Sequence, residues 1–100
     1  MIAAYREQIY DLTGYRITQS PSPSNPSVPL LKLRSMYAES PDDYLLFQPA
    51  KIKGSYDLLE SEYAKTLDDM TLRYYKQFKS VPAMLAHITF SLFEKNTFAG

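Results

Sequence analysis

The sequence lacks cysteine altogether and has few of the residues on which common catalytic sites depend. Without cysteine there is no disulfide framework, no thiolate zinc site and no cysteine nucleophile. The three glycines, Gly14, Gly54 and Gly100, are isolated from one another, which excludes a glycine-rich loop that cradles phosphate. The single histidine, His87, has no second histidine or aspartate at the spacing of a metal site or a catalytic triad. We therefore interpret His87 as a structural residue.

Two acidic pairs are the remaining candidates for acid-base or metal chemistry. Asp42 and Asp43 lie in a predicted turn, where aspartate is a common residue. Asp68 and Asp69 lie on the predicted solvent-facing side of a helix, where charge is ordinary. The sequence thus predicts no enzyme activity, no metal site and no cofactor.

A charge excess of either sign and long apolar runs are also missing. Eleven basic and eleven acidic residues give a formal net charge of zero, which argues against a nucleic-acid binder or an anionic-membrane binder. No apolar run approaches the roughly 20 residues that span a bilayer, and the first ten residues are too polar for a signal peptide. The nine tyrosines and five phenylalanines come without an RNA-binding signature, so we interpret exposed tyrosines as a protein-binding surface. We expect a soluble cytosolic or nuclear protein.

The first 14 residues have the pattern of a coiled-coil helix. Apolar residues recur at intervals of three and four, as at the a and d positions of a heptad. This dimer seam consists of Ile2, Tyr5, Ile9 and Leu12. Gly14 supplies the C-terminal cap, and the pattern, under two heptads long and without an N-cap, favours the end of a longer coiled coil that dimerises weakly on its own. The alternative is a short helix packed on its own domain.

Residues 15–59 predict about four strands in a mostly antiparallel sheet. The strands are expected at 15–19, from residue 31 onward, at 44–48 and at 56–59, bounded by proline, glycine and aspartate turns. Between the first two lies a flexible loop, residues 20–29, with four prolines. In the second strand, Leu33, Ser35 and Tyr37 share the inward side. Lys32, Arg34 and Met36 share the wet side.

Two helices are predicted to follow the sheet. From residue 61, apolar residues spaced by three or four predict an amphipathic helix of about four to five turns that includes Tyr63, Leu67 and Phe78. Ser80 is expected to cap a last helix. Its predicted buried side consists of Met84, Leu85, Ile88, Leu92 and Phe93. The predicted fold is α+β, with the two helices on one face of the sheet and residues 15–100 forming one globular head.

Four segments carry a resemblance to a known family. They are residues 5–17 (YREQIYDLTGYRI), 33–47 (LRSMYAESPDDYLLF), 56–63 (YDLLESEY) and 81–98 (VPAMLAHITFSLFEKNTF). In order and spacing they resemble the C-terminal domain of the mitotic arrest deficient one (Mad-one) family of spindle assembly checkpoint proteins. The proline-rich loop at 20–29 is longer than in animal members, which indicates a fungal-type or otherwise divergent version.

The resemblance implies an RWD-like head on a parallel coiled coil, in a homodimer. It implies a scaffold that docks at unattached kinetochores by binding a phosphorylated segment of the Bub-one kinase. Regions upstream of this domain would bind Mad-two, and the expected location is the nucleus, the kinetochore and the nuclear envelope. The family's basic Arg-Leu-Lys docking motif has no counterpart in this sequence. By position, Tyr5 and Arg6 match the aromatic-arginine pair of the family's partner-binding surface.

Two other hypotheses share this architecture. One is an RWD-type structural subunit of kinetochore assembly, whose helix pairs with a different coiled-coil chain. The other is an enzyme related to ubiquitin-conjugating folds, which needs a catalytic cysteine that this sequence lacks. Arg6 has a second interpretation as well, as an ordinary solvated charge that flanks a coiled coil.

Overall fold

The structure, a computed structural model, describes residues 2–23 and 27–98. The first helix and the four strands are α1 Ile2–Thr13, β1 Tyr15–Ser20, β2 Leu30–Ser35, β3 Tyr44–Pro49 and β4 Tyr56–Leu59. A 3-10 turn at Ala64–Thr66 and two helices follow, α2 Asp69–Lys76 and α3 Val81–Phe98. The chain divides into two compact units, Met1–Lys65 with the sheet and Thr66–Gly100 with the last two helices. The predicted α+β class is confirmed, and the RWD-like detail and the domain boundary at residue 14 stay predictions.

The first unit contains a four-stranded antiparallel sheet in the order β1-β2-β3-β4, as predicted. The four strand starts and ends lie within one residue of the prediction, except at the end of β2. That strand ends at Ser35, because Ala38 donates a turn hydrogen bond to the Ser35 carbonyl, and Tyr37 lies beyond it. The predicted loop at 20–29 falls partly outside the described residues, and its flexibility stays a prediction.

The two faces of the sheet differ as the alternation predicted. Leu33 pairs with Ile17 on one side and Leu45 on the other, and both leucines are buried. Phe47, on the same face, is 2% exposed. Lys32 lies on the opposite face, where its ammonium nitrogen is 4.3 Å from the centre of the Tyr44 ring. The apolar core of this unit therefore lies on one side of the sheet.

The first helix predicted after the sheet is shorter than expected. It begins at Asp69, and Tyr63 and Leu67 precede it. The reason is local hydrogen bonding: the Asp68 carboxylate accepts a 2.8 Å hydrogen bond from the Thr71 amide and caps the helix there. Both aspartates are exposed, as predicted, and Asp69 is the first residue of α2. Asp68 is the capping residue before the helix, so only its predicted position within the helix was wrong.

The last helix confirms the predicted cap and part of the predicted core, because two of the five predicted residues are buried and Leu85 and Leu92 are half-buried. The Ser80 hydroxyl accepts a 3.1 Å hydrogen bond from the Ala83 amide. Met84 and Ile88 are buried, whereas Phe93 is 40% exposed. Since successive helical residues are about 100° apart, Phe93 points away from Met84, which corrects its predicted burial. That the two helices cover one face of the sheet stays a prediction.

Candidate functional site

The predicted dimer seam is an exposed apolar stripe on α1. Leu12 is 86% exposed and Tyr5 is 59% exposed. Ile9, between them on the helix surface, is half-buried. The side chain of Ile2, the fourth predicted seam residue, lies outside the described part of the chain. A second copy covering this stripe stays a prediction.

A single residue, Gly14, connects α1 to β1. Gly14 has a φ of +79° and donates a 2.8 Å hydrogen bond to the Tyr10 carbonyl, which is the predicted left-handed cap. The Thr13 hydroxyl donates to the Ile9 carbonyl and accepts from the Tyr15 amide. Because the chain reverses within one residue, residues near the end of α1 lie beside β1, an edge strand of the sheet.

A cleft opens to solvent between α1 and β1. It is lined by Arg6, Ile9, Arg16, Ile17 and Thr18. The lining residues are two arginines, one threonine and two isoleucines, of which Ile17 has its side chain on the face of β1 opposite that of Arg16 and Thr18. Guanidinium groups recognise carboxylates and phosphates through paired hydrogen bonds, so this combination suits an anionic group attached to a small apolar stem.

Arg16 is held in this cleft by neighbours on α1. One of its terminal nitrogens lies 3.0 Å from a Glu7 carboxylate oxygen. Its guanidinium carbon lies 4.2 Å from the centre of the Tyr10 ring, within cation-π distance. The hydrogen bond to Glu7 raises the pKa of Arg16. The pair with Glu7 is exposed on both sides, at 46% and 59%.

Of the two predicted partner-binding residues, only Arg6 lines the cleft. Among the described residues, no carboxylate lies within salt-bridge distance of Arg6. Tyr5 is exposed on the seam stripe and does not line the cleft. The sequence prediction missed Arg16 and Thr18, although the cap at Gly14 was recognised. A chain reversal at that glycine places Arg16 beside the last turns of α1. The spacing of residues along either element does not predict this contact.

The predicted basic residues on the solvent-facing side of the sheet, Lys32 and Arg34, contact groups outside the cleft. Arg34 donates from its ε nitrogen to the Ser40 carbonyl at 3.2 Å, and Lys32 stacks on Tyr44. Neither lines the cleft. Arg16 shares their face and is paired with Arg34 across the two strands.

The residues that the structure describes include few groups suited to catalysis. His87 is half-buried, with its ring 5.4 Å from that of Tyr74. Burial, with the charges of Asp43 and Glu39, raises the pKa of Tyr63. Within residues 2–23 and 27–98, no three histidine, cysteine or acidic side chains are grouped to hold a metal ion. Over the same residues, none of the helices has the length and apolar character needed to cross a bilayer.

Comparison with known proteins identifies the family. The family described as MAD, mitotic checkpoint protein, matches residues 1–97. The mitotic spindle assembly checkpoint protein MAD1 of Homo sapiens is 33% identical over 99 residues, which cover 98% of this chain and 13% of the human protein. The mitotic spindle checkpoint protein MAD1 of Arabidopsis thaliana is 29% identical over 100 residues, 96% of this chain and 14% of that protein. The chain therefore spans about a seventh of these relatives. It belongs to the MAD family of mitotic checkpoint proteins.

Proposed function

We propose that the chain is a non-enzymatic, homodimeric protein-binding domain of a spindle assembly checkpoint scaffold. It docks the scaffold at unattached kinetochores by binding a phosphorylated segment of the Bub-one kinase. The proposed location is the nucleus, with the kinetochore and the nuclear envelope. Mad-two binds other regions of the scaffold, outside these 100 residues. The family match favours this function over a general kinetochore assembly subunit.

The observation that carries the proposal is the position of Arg6. It lies exposed on α1, beside a cleft with a second arginine, and it has no ion-pair partner within the described residues. A guanidinium in this setting has hydrogen-bond donors to offer to a phosphate from another molecule. A well-formed charge-assisted hydrogen bond contributes about 1.5–3 kcal/mol, less where solvent screens it.

The exposed stripe on α1 supports the dimeric part of the proposal. Leu12 and Tyr5 leave large apolar surfaces in water, and they follow the spacing of a coiled-coil seam. A parallel partner helix would bury both side chains. Arg6 occupies the position next to Tyr5, so it would flank such a seam and remain accessible to a partner peptide.

A fluorescence-polarisation titration tests this function. A Bub-one peptide, phosphorylated or unphosphorylated, is titrated with the 100-residue chain and with its Arg6→Ala variant. The expected result is binding that requires the phosphate and is weakened by Arg6→Ala. Arg73→Ala, which removes an exposed arginine on α2, is the matched control and should leave the affinity unchanged. Equal affinity for the two peptide forms, or no binding of either, contradicts the proposal.

A further inference from the structure

Arg16 is a second arginine in the cleft, and α1 presents an acidic residue to it. Arg16 lines the cleft from β1, and Arg6 lines it from α1. Thr18, two residues further along β1, adds a hydroxyl on the same face of the strand as Arg16. Phosphate monoesters carry close to two negative charges at neutral pH and accept several hydrogen bonds. Two arginines and a hydroxyl around one cleft match that charge and those acceptors.

The apolar part of the lining narrows the ligand further. Ile9 from α1 borders the same cleft, whereas the side chain of Ile17, between Arg16 and Thr18, lies on the opposite face of β1. The Ile9 side chain offers apolar surface to a methyl-bearing stem and no hydrogen bond to a free inorganic ion. A phosphorylated threonine has both parts, a dianionic phosphate and a methyl-bearing carbon next to it. The lining therefore suits a phosphothreonine side chain better than a bare anion.

Glu7 occupies one of the positions that such a phosphate would take. Its carboxylate oxygen is 3.0 Å from Arg16, in an ion pair that is exposed on both sides. Exposed pairs of this kind are weak and exchange readily with other anions. A phosphate carries more negative charge than a carboxylate and displaces it from the guanidinium. Meanwhile the face of Tyr10 keeps the guanidinium in position.

We propose that Arg6 and Arg16 together form a phosphothreonine site in the cleft between α1 and β1, and that Glu7 is a built-in competitor for it. This inference rests on the phosphate-dependent docking proposed above, because it assigns the phosphate to a second arginine of the same surface. It adds a regulatory element: the carboxylate of Glu7 lowers the affinity of the empty site, so that weakly charged segments are rejected.

The opposite interpretation makes a different prediction for Glu7. If the pair of Glu7 with Arg16 only fastens α1 to β1, then Glu7→Gln loosens the cleft and weakens phosphate binding or leaves it unchanged. If Glu7 competes with the ligand, Glu7→Gln strengthens binding. Loss of an exposed pair corresponds to a change in affinity of about two- to fivefold.

The test is an NMR titration of the 15N-labelled chain with N-acetyl-O-phosphothreonine N-methylamide. The sequence has four arginines, Arg6, Arg16, Arg34 and Arg73, each with one side-chain Nε–Hε group whose signal reports on binding. We expect saturable shifts of the Arg6 and Arg16 signals, with the other two unaffected. Glu7→Gln should raise the affinity about two- to fivefold, and Arg16→Gln should lower it about fivefold or more. Thermal melts of both variants establish that they remain folded.

A matched control separates the effect of Glu7 from a general change in charge. Glu60 forms a similar exposed pair with Lys65, at 3.3 Å, and does not line the cleft. Glu60→Gln should leave phosphothreonine binding unchanged. Equal gains in affinity for Glu7→Gln and Glu60→Gln would overturn the inference. So would a loss of affinity in Glu7→Gln, or parallel shifts of the signals of all four arginines.

The same titrations distinguish this inference from the proposed function. If the phosphorylated kinase peptide binds through Arg6 while Arg16→Gln and Glu7→Gln have no effect, the docking function stands and the two-arginine site is wrong. If phosphothreonine binds as described while the kinase peptide does not, the site is supported and the proposed partner is wrong.

Discussion

Met36 and Gly14 are joined by a 2.8 Å hydrogen bond, from the Met36 amide to the Gly14 carbonyl. This bond continues the pairing of β1 with β2 past its last residue pair, Tyr15 with Ser35. The turn that ends α1 is thereby fixed to the sheet. We therefore expect Gly14 to help set the orientation of α1 relative to β1, together with the contacts of Arg16 with Glu7 and Tyr10.

Replacement of Gly14 by alanine should therefore affect both stability and binding. A φ of +79° is costly for alanine, and we expect a loss of about 1 kcal/mol in the free energy of unfolding. Gly54→Ala is the control, since Gly54 has a φ of +86° in a turn where an added methyl group meets nothing within 4 Å. Urea unfolding should show a similar loss for both variants, and only Gly14→Ala should weaken phosphothreonine binding. Phosphothreonine binding by Gly14→Ala that equals that of the unmodified chain would contradict this role of the turn.

A charge at Leu12 should prevent association of the chain. Leu12 is 86% exposed, so Leu12→Asp is expected to leave the fold intact while placing a carboxylate in the proposed dimer seam. Light scattering over a concentration series should show a mass that rises toward twice that of one chain for the unmodified protein and stays at one chain for Leu12→Asp. Ala4→Asp, on the same helix outside the stripe, should behave like the unmodified protein. A monomer at every concentration would contradict dimerisation through α1.

The cap of α2 predicts a pH-dependent loss of stability. Hydrogen bonds from Thr71 hold the pKa of Asp68 below its ordinary value of 3.8. The carboxylate therefore contributes its full stabilisation above that value and loses it as the pH falls through the lower pKa of the folded state. We expect Asp68→Ala to cost about 1 kcal/mol at pH 7, measured by urea unfolding. The difference from the unmodified chain should shrink below pH 3.8.

Asp68→Asn provides the control for this prediction. Asparagine caps helices about as well as aspartate, and it does not titrate. Its stability at pH 7 should stay close to that of the unmodified chain. The contrary result is a difference in unfolding free energy between Asp68→Ala and the unmodified chain that stays constant over the acidic range. It would show that the charge of Asp68 adds nothing to the cap.

Phe47 is expected to be the most sensitive apolar position of the sheet. It is 2% exposed and lies opposite Leu31 and Leu58 in the neighbouring strands. Phe47→Ala should cost about 3–5 kcal/mol, a large share of the stability of a small domain. Phe78→Ala removes the same atoms at a position that is 60% exposed, and it should cost less than about 1 kcal/mol. Chemical denaturation followed by circular dichroism compares them, and similar costs for the two would contradict the assigned core.

The strands were predictable because two local signals agree. The alternation around Leu33 marks an inward side, and proline, glycine and aspartate interrupt the apolar runs between strands. The start of α2 was not predictable, because apolar residues at intervals of three and four continue through residues 63–78. The helix nevertheless begins at Asp69, because the Asp68 carboxylate caps it there. A side-chain hydrogen bond of this kind leaves no trace in the apolar spacing.

The candidate site was predictable only in part, for a different reason. Arg6 stands out through its position in a motif, which is a property of the sequence alone. Arg16 becomes relevant only when the turn at Gly14 brings β1 beside α1, where Glu7 and Tyr10 lie around its guanidinium. A contact between elements depends on their geometry, and residue spacing along either element does not contain it.

The central claim is that Arg6 binds the phosphate of a partner peptide, and a double-mutant cycle measures it most directly. Dissociation constants are determined by fluorescence polarisation for the unmodified chain and Arg6→Ala, each with the phosphorylated and the unphosphorylated Bub-one peptide. We predict a coupling free energy of about 1 kcal/mol or more between the guanidinium and the phosphate, because removal of either group removes the same interaction. A coupling of zero, with Arg6→Ala weakening both peptide forms equally or neither, would contradict the account.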